Sequence, residues 1–155
     1  MNGKIPPARQ QLIAGIIDEA RRLRRGPQPI DIQQFITAYY RGVIEEDLAA
    51  RNPKDLAAAA LDHIELGRRR RPGRPLVRIL NHAGARRTLV QLVSDDMPFL
   101  VDSLHMVFNA AGAAVHLLVH PILHVERDGK GELRGMGAAQ DKTRNPKLRA
   151  ESWQL

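Results

Sequence analysis

The sequence contains no cysteine, which excludes disulfide bonds, thiolate nucleophiles and cysteine-ligated metals. Aromatic residues are scarce, with one tryptophan, two tyrosines and three phenylalanines, so any core must be mainly aliphatic. No apolar run approaches the roughly 20 residues needed to cross a bilayer, and the amino terminus lacks the apolar segment of a secretory signal. These absences predict a soluble, cytoplasmic protein with no membrane partner.

Positive charge is concentrated in the first half of the chain. Of 24 basic and 17 acidic residues, residues 1–85 hold 15 and 9. The excess forms two clusters: Arg21, Arg22, Arg24 and Arg25, and Arg68, Arg69, Arg70 and Arg71 with Arg74. Both follow predicted helices, where cations oppose the negative end of the helix dipole. A phosphate or nucleic-acid surface is the alternative, which we disfavour because no aromatic residues for base stacking are interleaved with the arginines.

Residues 1–70 are predicted to form helices. Apolar residues recur at helical spacing between residues 7 and 25 and form one stripe. Asp31 is placed to cap a second helix through its carboxylate. Asn52, which precedes a proline, begins another helix, and Gly67 is expected to end it in the left-handed conformation. The first unit of the chain is therefore a helical segment.

The periodicity changes after a basic linker rich in proline and glycine at residues 71–75, which we interpret as the domain boundary. Residues 76–80 and 87–93 are short and β-rich, and the second run is apolar on both faces, as in an interior strand. Residues 100–111 carry one apolar helical face, and Gly112 is expected to cap that helix.

Further strands are expected towards the carboxyl end. Residues 114–127 are predicted to be extended, and an Asp-Gly pair at residue 128 is typical of a hairpin turn that returns at residues 132–134. Residues 151–155 look like the opening of another strand that is cut off. Residues 76–155 thus predict an α+β sandwich in which the helix buries one face of a small, incomplete sheet.

The connection between the first two strands is interpreted as a solvated hairpin. It contains Gly84 as an isolated loop glycine, without the pattern of a phosphate-binding loop. Arg86 and Arg87 lie there beside Asn81 and His82, and contact with an acidic ligand is the alternative interpretation.

Three aspartates surround the start of the predicted helix. Asp95 and Asp96 immediately precede it, where a helix amino terminus favours anions, and Asp102 lies on the polar side of its first turn. Capping is the favoured role for these carboxylates. Contact with a ligand or a cation is the alternative, and catalysis has the least support.

Three histidines, His116, His120 and His124, are spaced by four residues on a predicted extended segment, so they share one face. That spacing corresponds to about 13 Å along a strand, which is too long for two of them to bind one zinc ion easily. A titratable polar sheet face is the favoured interpretation. Ser103 and His105 point in different directions on a helix, which argues against a nucleophile–base pair.

The strongest family signal is the Asp-Asp-Met-Pro-Phe-Leu-Val-Asp-Ser run within residues 90–104. Together with Gly112, residues 116–121 and the Glu-Ser pair at residues 151–152, it resembles the amino-terminal region of the very large NAD-dependent glutamate dehydrogenases. The resemblance extends over residues 30–155. It implies a helical segment followed by an ACT-like, antiparallel fold of the ferredoxin-like βαββ type with a helix on one face, truncated at its carboxyl end.

The resemblance also implies a function. In that family the catalytic dehydrogenase domain lies far downstream, so this chain is expected to be a non-catalytic regulatory or assembly segment of an enzyme that oxidises L-glutamate to 2-oxoglutarate and ammonium. The sequence has no Gly-x-Gly-x-x-Gly motif after a strand, so NAD is assigned to the parent enzyme and no cofactor, metal or catalytic residue to this segment. The implied partners are the remainder of the chain, a second copy and an amino-acid effector.

The candidate effector or interface residues surround the strand–helix turn: Asp95, Asp96, Met97, Pro98, Phe99, Asp102, Gly112 and His116. ACT domains that bind amino acids usually have glycine after the proline of this turn, whereas this sequence has Phe99. That departure argues against close approach of a ligand to the backbone. The alternative function is a free-standing basic module that binds phosphate-bearing partners.

Overall fold

The computed structural model describes residues 7–81 and 86–155; His82 and Gly84 of the predicted hairpin lie outside them. The helices are α1 (Pro7–Leu23), α2 (Ile32–Tyr39), α3 (Glu45–Ala49), α4 (Pro53–Gly67) and α5 (Leu100–Ala110), with a short 3₁₀ helix at Ala139–Thr143. The strands are β1 (Leu76–Asn81), β2 (Thr88–Asp95), β3 (Ile122–Arg127), β4 (Leu133–Gly137) and β5 (Arg149–Gln154). None of the described helices combines the length and the apolar character that a bilayer span requires.

The five described strands form one antiparallel sheet in the order β1-β2-β5-β3-β4. Helices and an antiparallel sheet together confirm the predicted α+β class. The first two strands pair as a hairpin, with Asn81 opposite Thr88. β2 is an interior strand between β1 and β5, as its apolar character on both faces predicted.

The strand predicted at residues 151–155 is confirmed, but its position in the sheet was not predicted. β5 is a six-residue strand in the middle of the sheet, paired with β2 on one side and β3 on the other. Four consecutive residues of β5 are buried, and only Trp153 among them is apolar. The polar composition of β5 did not indicate an interior position, because the hydrogen bonds that accommodate Glu151 come from residues far away in the sequence.

The helical segment packs against one face of the sheet. Val93, Leu123, Val125 and Trp153 are buried there in one continuous apolar cluster with residues of α1, α2 and α4. The Trp153 ring lies 5.6 Å from the ring of Phe35, measured between centroids, in an edge-to-face arrangement. The cores of the two predicted units are therefore shared, while the boundary at residues 71–75 stays a prediction.

Gly67 has a different role from the predicted left-handed cap. It is the last residue of α4, and its φ is not positive. A Cβ atom at this position would overlap three ring atoms of Trp153. Glycine is needed here because the helix end lies directly on the indole ring.

The helix α5 is present as predicted, but it is less buried than its amphipathic pattern predicted. None of the residues of α5 is buried, and Met106 and Val107 on it are 72% and 62% exposed. The helical segment packs against the other face of the sheet, with α4 contacting β1 and β2. Within the apolar stripe of α5, Leu100, Leu104 and Phe108 are only half-buried by the described residues.

The predicted helix ends that depend on local sequence are confirmed. The Asp31 carboxylate accepts a hydrogen bond from the Gln34 amide at 2.7 Å, and the Asn52 side chain accepts one from the Lys54 amide at 2.9 Å. Gly112 has a φ of 68°, and the two amides after Ala111 donate to the carbonyls of Asn109 and Phe108. This pair of bonds is the Schellman motif that satisfies the last carbonyls of a helix.

The β3–β4 hairpin is confirmed, although its loop spans residues 128–132. The Asp128 carboxylate accepts hydrogen bonds from the amides of Lys130 and Glu132 at 2.9 and 3.0 Å. The positive φ, 84°, belongs to Gly131 and not to Gly129. A side chain on Gly131 would meet the Arg70 carbonyl oxygen at 2.5 Å, so the hairpin loop lies against the end of the helical segment.

Candidate functional site

The turn between β2 and α5 has a strained backbone. Phe99 is the residue before the first turn of α5 and has a φ of 63°, the left-handed conformation. This conformation costs a residue other than glycine about 1–2 kcal/mol. Its side chain is 76% exposed. The turn thus keeps a glycine-like backbone although it contains a phenylalanine.

The amino end of α5 is not capped by a side chain. Phe99 makes no side-chain capping bond, and its carbonyl accepts from the amide of Ser103 at 2.9 Å. The free amides of the first turn and the positive end of the helix dipole favour an anion at such a helix end. Asp102 is the acidic residue within this first turn.

A cavity of about 170 Å³ lies between this turn and the sheet. The turn and α5 contribute Asp96, Met97, Phe99, Leu100, Val101 and Asp102, and the sheet side contributes His120, Ile122, Ser152 and Gln154. Side chains alternate along a strand, so Ser152 and Gln154 point away from Trp153 and the helical segment. The cavity is therefore on the sheet face opposite the core.

The floor of this cavity is polar and buried. Ser152 and Gln154 are 5% and 1% exposed, and the Gln154 Nε2 donates to the Ser152 Oγ at 3.1 Å. The Gln154 Oε1 has no hydrogen-bond partner among the described residues. Buried amide groups almost always have partners, so the floor retains unused hydrogen-bonding capacity.

Four of the predicted site residues meet at this cavity: Asp96, Met97, Phe99 and Asp102. Pro98 lies in the same turn. Gly112 lies at the other end of α5, where it forms the helix cap described above. His116 is exposed, and its carbonyl accepts from the Arg51 guanidinium at 2.7 Å. The structure thus separates the eight predicted residues into a cavity group and others that have local structural contacts.

Asp95 belongs to neither the cavity nor a helix cap, which corrects its predicted role. It ends β2, and its carboxylate accepts from the Arg70 guanidinium at 2.6 Å and from the Gly73 amide at 2.7 Å. The hydrogen bond from Arg70 lowers the pKa of Asp95 below its ordinary value. Asp96 likewise makes no cap, because the helix begins after Phe99; its amide donates to the Ala150 carbonyl at 3.3 Å.

A buried ion network joins Asp95 to the sheet centre. Arg70 also donates to Glu151 at 2.9 Å, and both of these side chains are 2% exposed. Arg127 donates to both Glu151 oxygens, at 2.7 and 3.0 Å, and the Trp153 indole donates to the same carboxylate at 3.1 Å. Burial opposes ionisation of Glu151, but the bonds and charges of Arg127 and Arg70 outweigh it and lower its pKa.

The network changes the interpretation of the second arginine cluster. Arg70 is buried within the network, Arg68 pairs with Glu65 at 2.7 Å, and Arg69 lies 3.6 Å from Glu132. Arg70 therefore connects the end of the helical segment to the sheet, Arg69 connects it to the β3–β4 hairpin, and Arg68 pairs locally at the end of α4. Sequence reasoning missed this because Asp95 and Glu151 are 25 and 81 residues away from Arg70.

His63 is a second buried polar residue, and it lies on the apolar face of α4. Its Nε2 donates to the Leu92 carbonyl at 2.8 Å, which leaves Nδ1 to accept from the Tyr39 hydroxyl at 2.6 Å. Burial lowers the pKa of His63 to about 4. The sequence contains no signal for these partners, because they lie 24 and 29 residues away from His63.

The histidines that the sequence placed on one extended segment have different surroundings. His120 lines the cavity, whereas His124 lines a separate groove of about 520 Å³ between α2 and the β3–β4 hairpin. Among residues 7–81 and 86–155, no group of three or more histidine, cysteine or acidic residues could hold a metal ion.

Comparison with known proteins assigns the family. The family model described as the ACT1 domain of glutamate dehydrogenase matches residues 35–155. The NAD-specific glutamate dehydrogenase of Halomonas elongata is 33% identical over 125 residues, which cover 77% of this chain and 8% of that protein. The NAD-specific glutamate dehydrogenase of Pseudomonas aeruginosa is 32% identical over 106 residues, 64% of this chain and 6% of that protein.

No solved structure matches the chain significantly. The chain spans less than a tenth of the length of the two glutamate dehydrogenases that it matches. The family match covers most of the chain and includes the β2–α5 turn, the cavity and β5. The chain therefore belongs to the glutamate dehydrogenase ACT1 domain family.

Proposed function

We propose that this chain is a non-catalytic regulatory and assembly segment of an NAD-dependent glutamate dehydrogenase in the cytoplasm. The parent enzyme would oxidise L-glutamate to 2-oxoglutarate and ammonium. The match to the ACT1 domain over residues 35–155 carries this proposal. It is supported by the two relatives, of which this chain covers only a small part. NAD and the catalytic residues are assigned to the rest of the parent chain.

The regulatory part of the proposal rests on the cavity between the β2–α5 turn and the sheet. The uncapped amides of α5 suit a carboxylate, and the carboxylates of Asp96 and Asp102 on the same cavity suit an ammonium group. A free amino acid has both groups a short distance apart. We therefore assign an amino-acid effector to this cavity.

Phe99 does not remove this site, although ordinary amino-acid-binding ACT domains have glycine there. Its φ of 63° keeps the turn in the conformation that glycine adopts most easily. Its side chain is 76% exposed and lines the cavity, so it can cover a bound ligand from the solvent side. Backbone strain at a turn of this kind is typical of ligand-binding positions.

The assembly part of the proposal rests on uncovered apolar surface. Val77 and Ile79 on the edge strand β1 are 59% and 62% exposed, and Met106 and Val107 on α5 are exposed to a similar degree. Edge strands and apolar patches of this kind are sites where a second copy or another part of the parent chain packs. β5 is excluded as the pairing edge, because it lies inside the sheet.

The test is an assay of glutamate-dependent NAD reduction by the complete gene product and by the 155-residue chain, each with and without a panel of amino acids. We expect no NAD reduction by the 155-residue chain. The complete gene product should reduce NAD with glutamate, and its rate should respond to at least one amino acid that also binds the 155-residue chain. A complete gene product with no glutamate-dependent NAD reduction would refute the proposed parent reaction.

A further inference from the structure

We propose that the cavity selects a small amino acid with a hydrogen-bonding side chain, and that Gln154 is the selecting residue. This inference rests on the proposed function, in which the cavity holds an amino-acid effector. The amide groups and carboxylates around the cavity entrance fit the backbone groups of any amino acid, whereas Gln154 would contact the effector side chain.

Gln154 has unused hydrogen-bonding capacity. Its side chain lines the cavity and is 1% exposed, and its Oε1 has no partner among the described residues. Turning the amide by half a rotation would let the Ser152 hydroxyl donate to Oε1 and would leave Nε2 hydrogens open instead. In either orientation one polar end of a buried amide lacks a protein partner. A ligand group in the adjoining cavity is placed to supply that partner.

The size of the cavity favours a small ligand. Its volume of about 170 Å³ is close to that of a cavity of about 150 Å³ that accommodates benzene. Serine and asparagine are small enough for such a cavity. Met97, Leu100 and Ile122 supply apolar walls for the aliphatic part of such a ligand.

The buried polar floor makes the cavity selective. A site built to hydrogen-bond its ligand rejects an analogue that lacks the polar group, because the buried protein group is then left without a partner. The floor formed by Ser152 and Gln154 would be left in that state by alanine or leucine. We therefore expect serine to bind more tightly than alanine, and asparagine more tightly than the similarly sized leucine, by about tenfold in each pair.

The test is a titration of the 155-residue chain with L-serine, L-alanine, L-asparagine and L-leucine, followed by nuclear magnetic resonance at the amides of Ser152 and Gln154. Gln154→Leu should remove the roughly tenfold preference for serine over alanine while alanine binding is kept. Gln10→Leu is the matched control, because Gln10 is exposed on α1, and it should retain the preference. Asp96→Asn should weaken serine and alanine binding alike.

The outcomes separate the two proposals. Equal binding of serine and alanine to the unaltered chain would refute selection by Gln154 while leaving an amino-acid site in place. Binding of none of the four amino acids would refute the effector site itself, and the selectivity with it. Since the comparison of serine with alanine uses the unaltered chain, the inference stays testable even if Gln154→Leu does not fold.

Discussion

Replacing Gly67 by alanine tests how the helical segment is joined to the sheet. In the interior of a helix this substitution normally stabilises a protein by about 0.5–1 kcal/mol. At Gly67 the added methyl group would overlap three atoms of the Trp153 ring. That ring has little freedom to move, because it is fully buried and its indole nitrogen donates to Glu151 at 3.1 Å.

The two effects oppose each other, and the overlap is the larger. Overpacking of a filled core costs about 1–3 kcal/mol, so after the gain in helix propensity we expect Gly67→Ala to lower the free energy of unfolding by about 1–2 kcal/mol. Gly15 provides the matched control, because it lies within α1 with open space where its Cβ would be. Gly15→Ala should raise stability by about 0.5–1 kcal/mol.

Urea unfolding measured by tryptophan fluorescence is the assay, since Trp153 is the only tryptophan in the chain. Gly67→Ala should lower the unfolding midpoint and alter the native emission of Trp153, whereas Gly15→Ala should raise the midpoint and leave the emission unchanged. If Gly67→Ala is as stabilising as Gly15→Ala, the close contact between α4 and the indole ring is wrong.

Other predictions concern buried groups and the end of α5. Burial lowers the pKa of His63 to about 4, whereas an unfolded histidine has a pKa of about 6.5. As the pH falls below 6.5, the unfolded chain therefore binds a proton at His63 before the folded chain does. The stability present above pH 6.5 is progressively lost down to about pH 4. The free energy of unfolding, obtained from urea unfolding at each pH, should fall by about 3 kcal/mol over this range. A free energy that does not change between pH 6.5 and pH 4 would contradict a buried neutral imidazole. Glu151→Gln should destabilise the fold by about 3 kcal/mol, since it leaves Arg70 and Arg127 incompletely paired; a urea midpoint close to that of the unaltered chain would overturn this role. Gly112→Ala should cost about 1 kcal/mol because of its φ of 68°, with faster amide exchange in α5 as the readout; unchanged exchange would speak against the Schellman motif.

Features that depend on a few neighbouring residues were predictable from the sequence. The caps at Asp31 and Asn52, the glycine at the end of α5 and the β3–β4 hairpin all depend on residues within one turn of each other. The interior position of β2 was predictable because every side chain of such a strand must tolerate burial.

Features that depend on distant partners were not predictable. Asp95 precedes a helix in the sequence, so the sequence predicted that it would cap that helix. In the structure its carboxylate instead binds the guanidinium of Arg70, at the end of the helical segment. β5 has the polar composition of an exposed segment, and Glu151 is accommodated in the centre of the sheet mainly because two distant arginines, Arg70 and Arg127, pair with it. The amphipathic pattern of α5 predicts a surface for packing, but it does not say whether the described chain supplies the partner.

Only part of the candidate site was predictable, because some of its residues are close in sequence and others are distant. Asp96, Met97, Phe99 and Asp102 are close in sequence and line one cavity. Ser152 and Gln154 were missed as site residues, because their position beneath the β2–α5 turn follows from the strand order of the sheet. A residue on a strand far along the sequence becomes part of a site only once the pairing of that strand is known.

The central claim is that the cavity regulates a glutamate dehydrogenase, and the most direct measurement is the response of the complete gene product to an amino acid that binds this chain. Glutamate-dependent NAD reduction is measured with and without that amino acid, for the unaltered protein, for Asp96→Asn, and for Asp18→Asn on the exposed side of α1 as the control. We predict that the ratio of the two rates differs from one in the unaltered protein and in Asp18→Asn, and returns to one in Asp96→Asn. The same ratio in all three proteins would contradict the account.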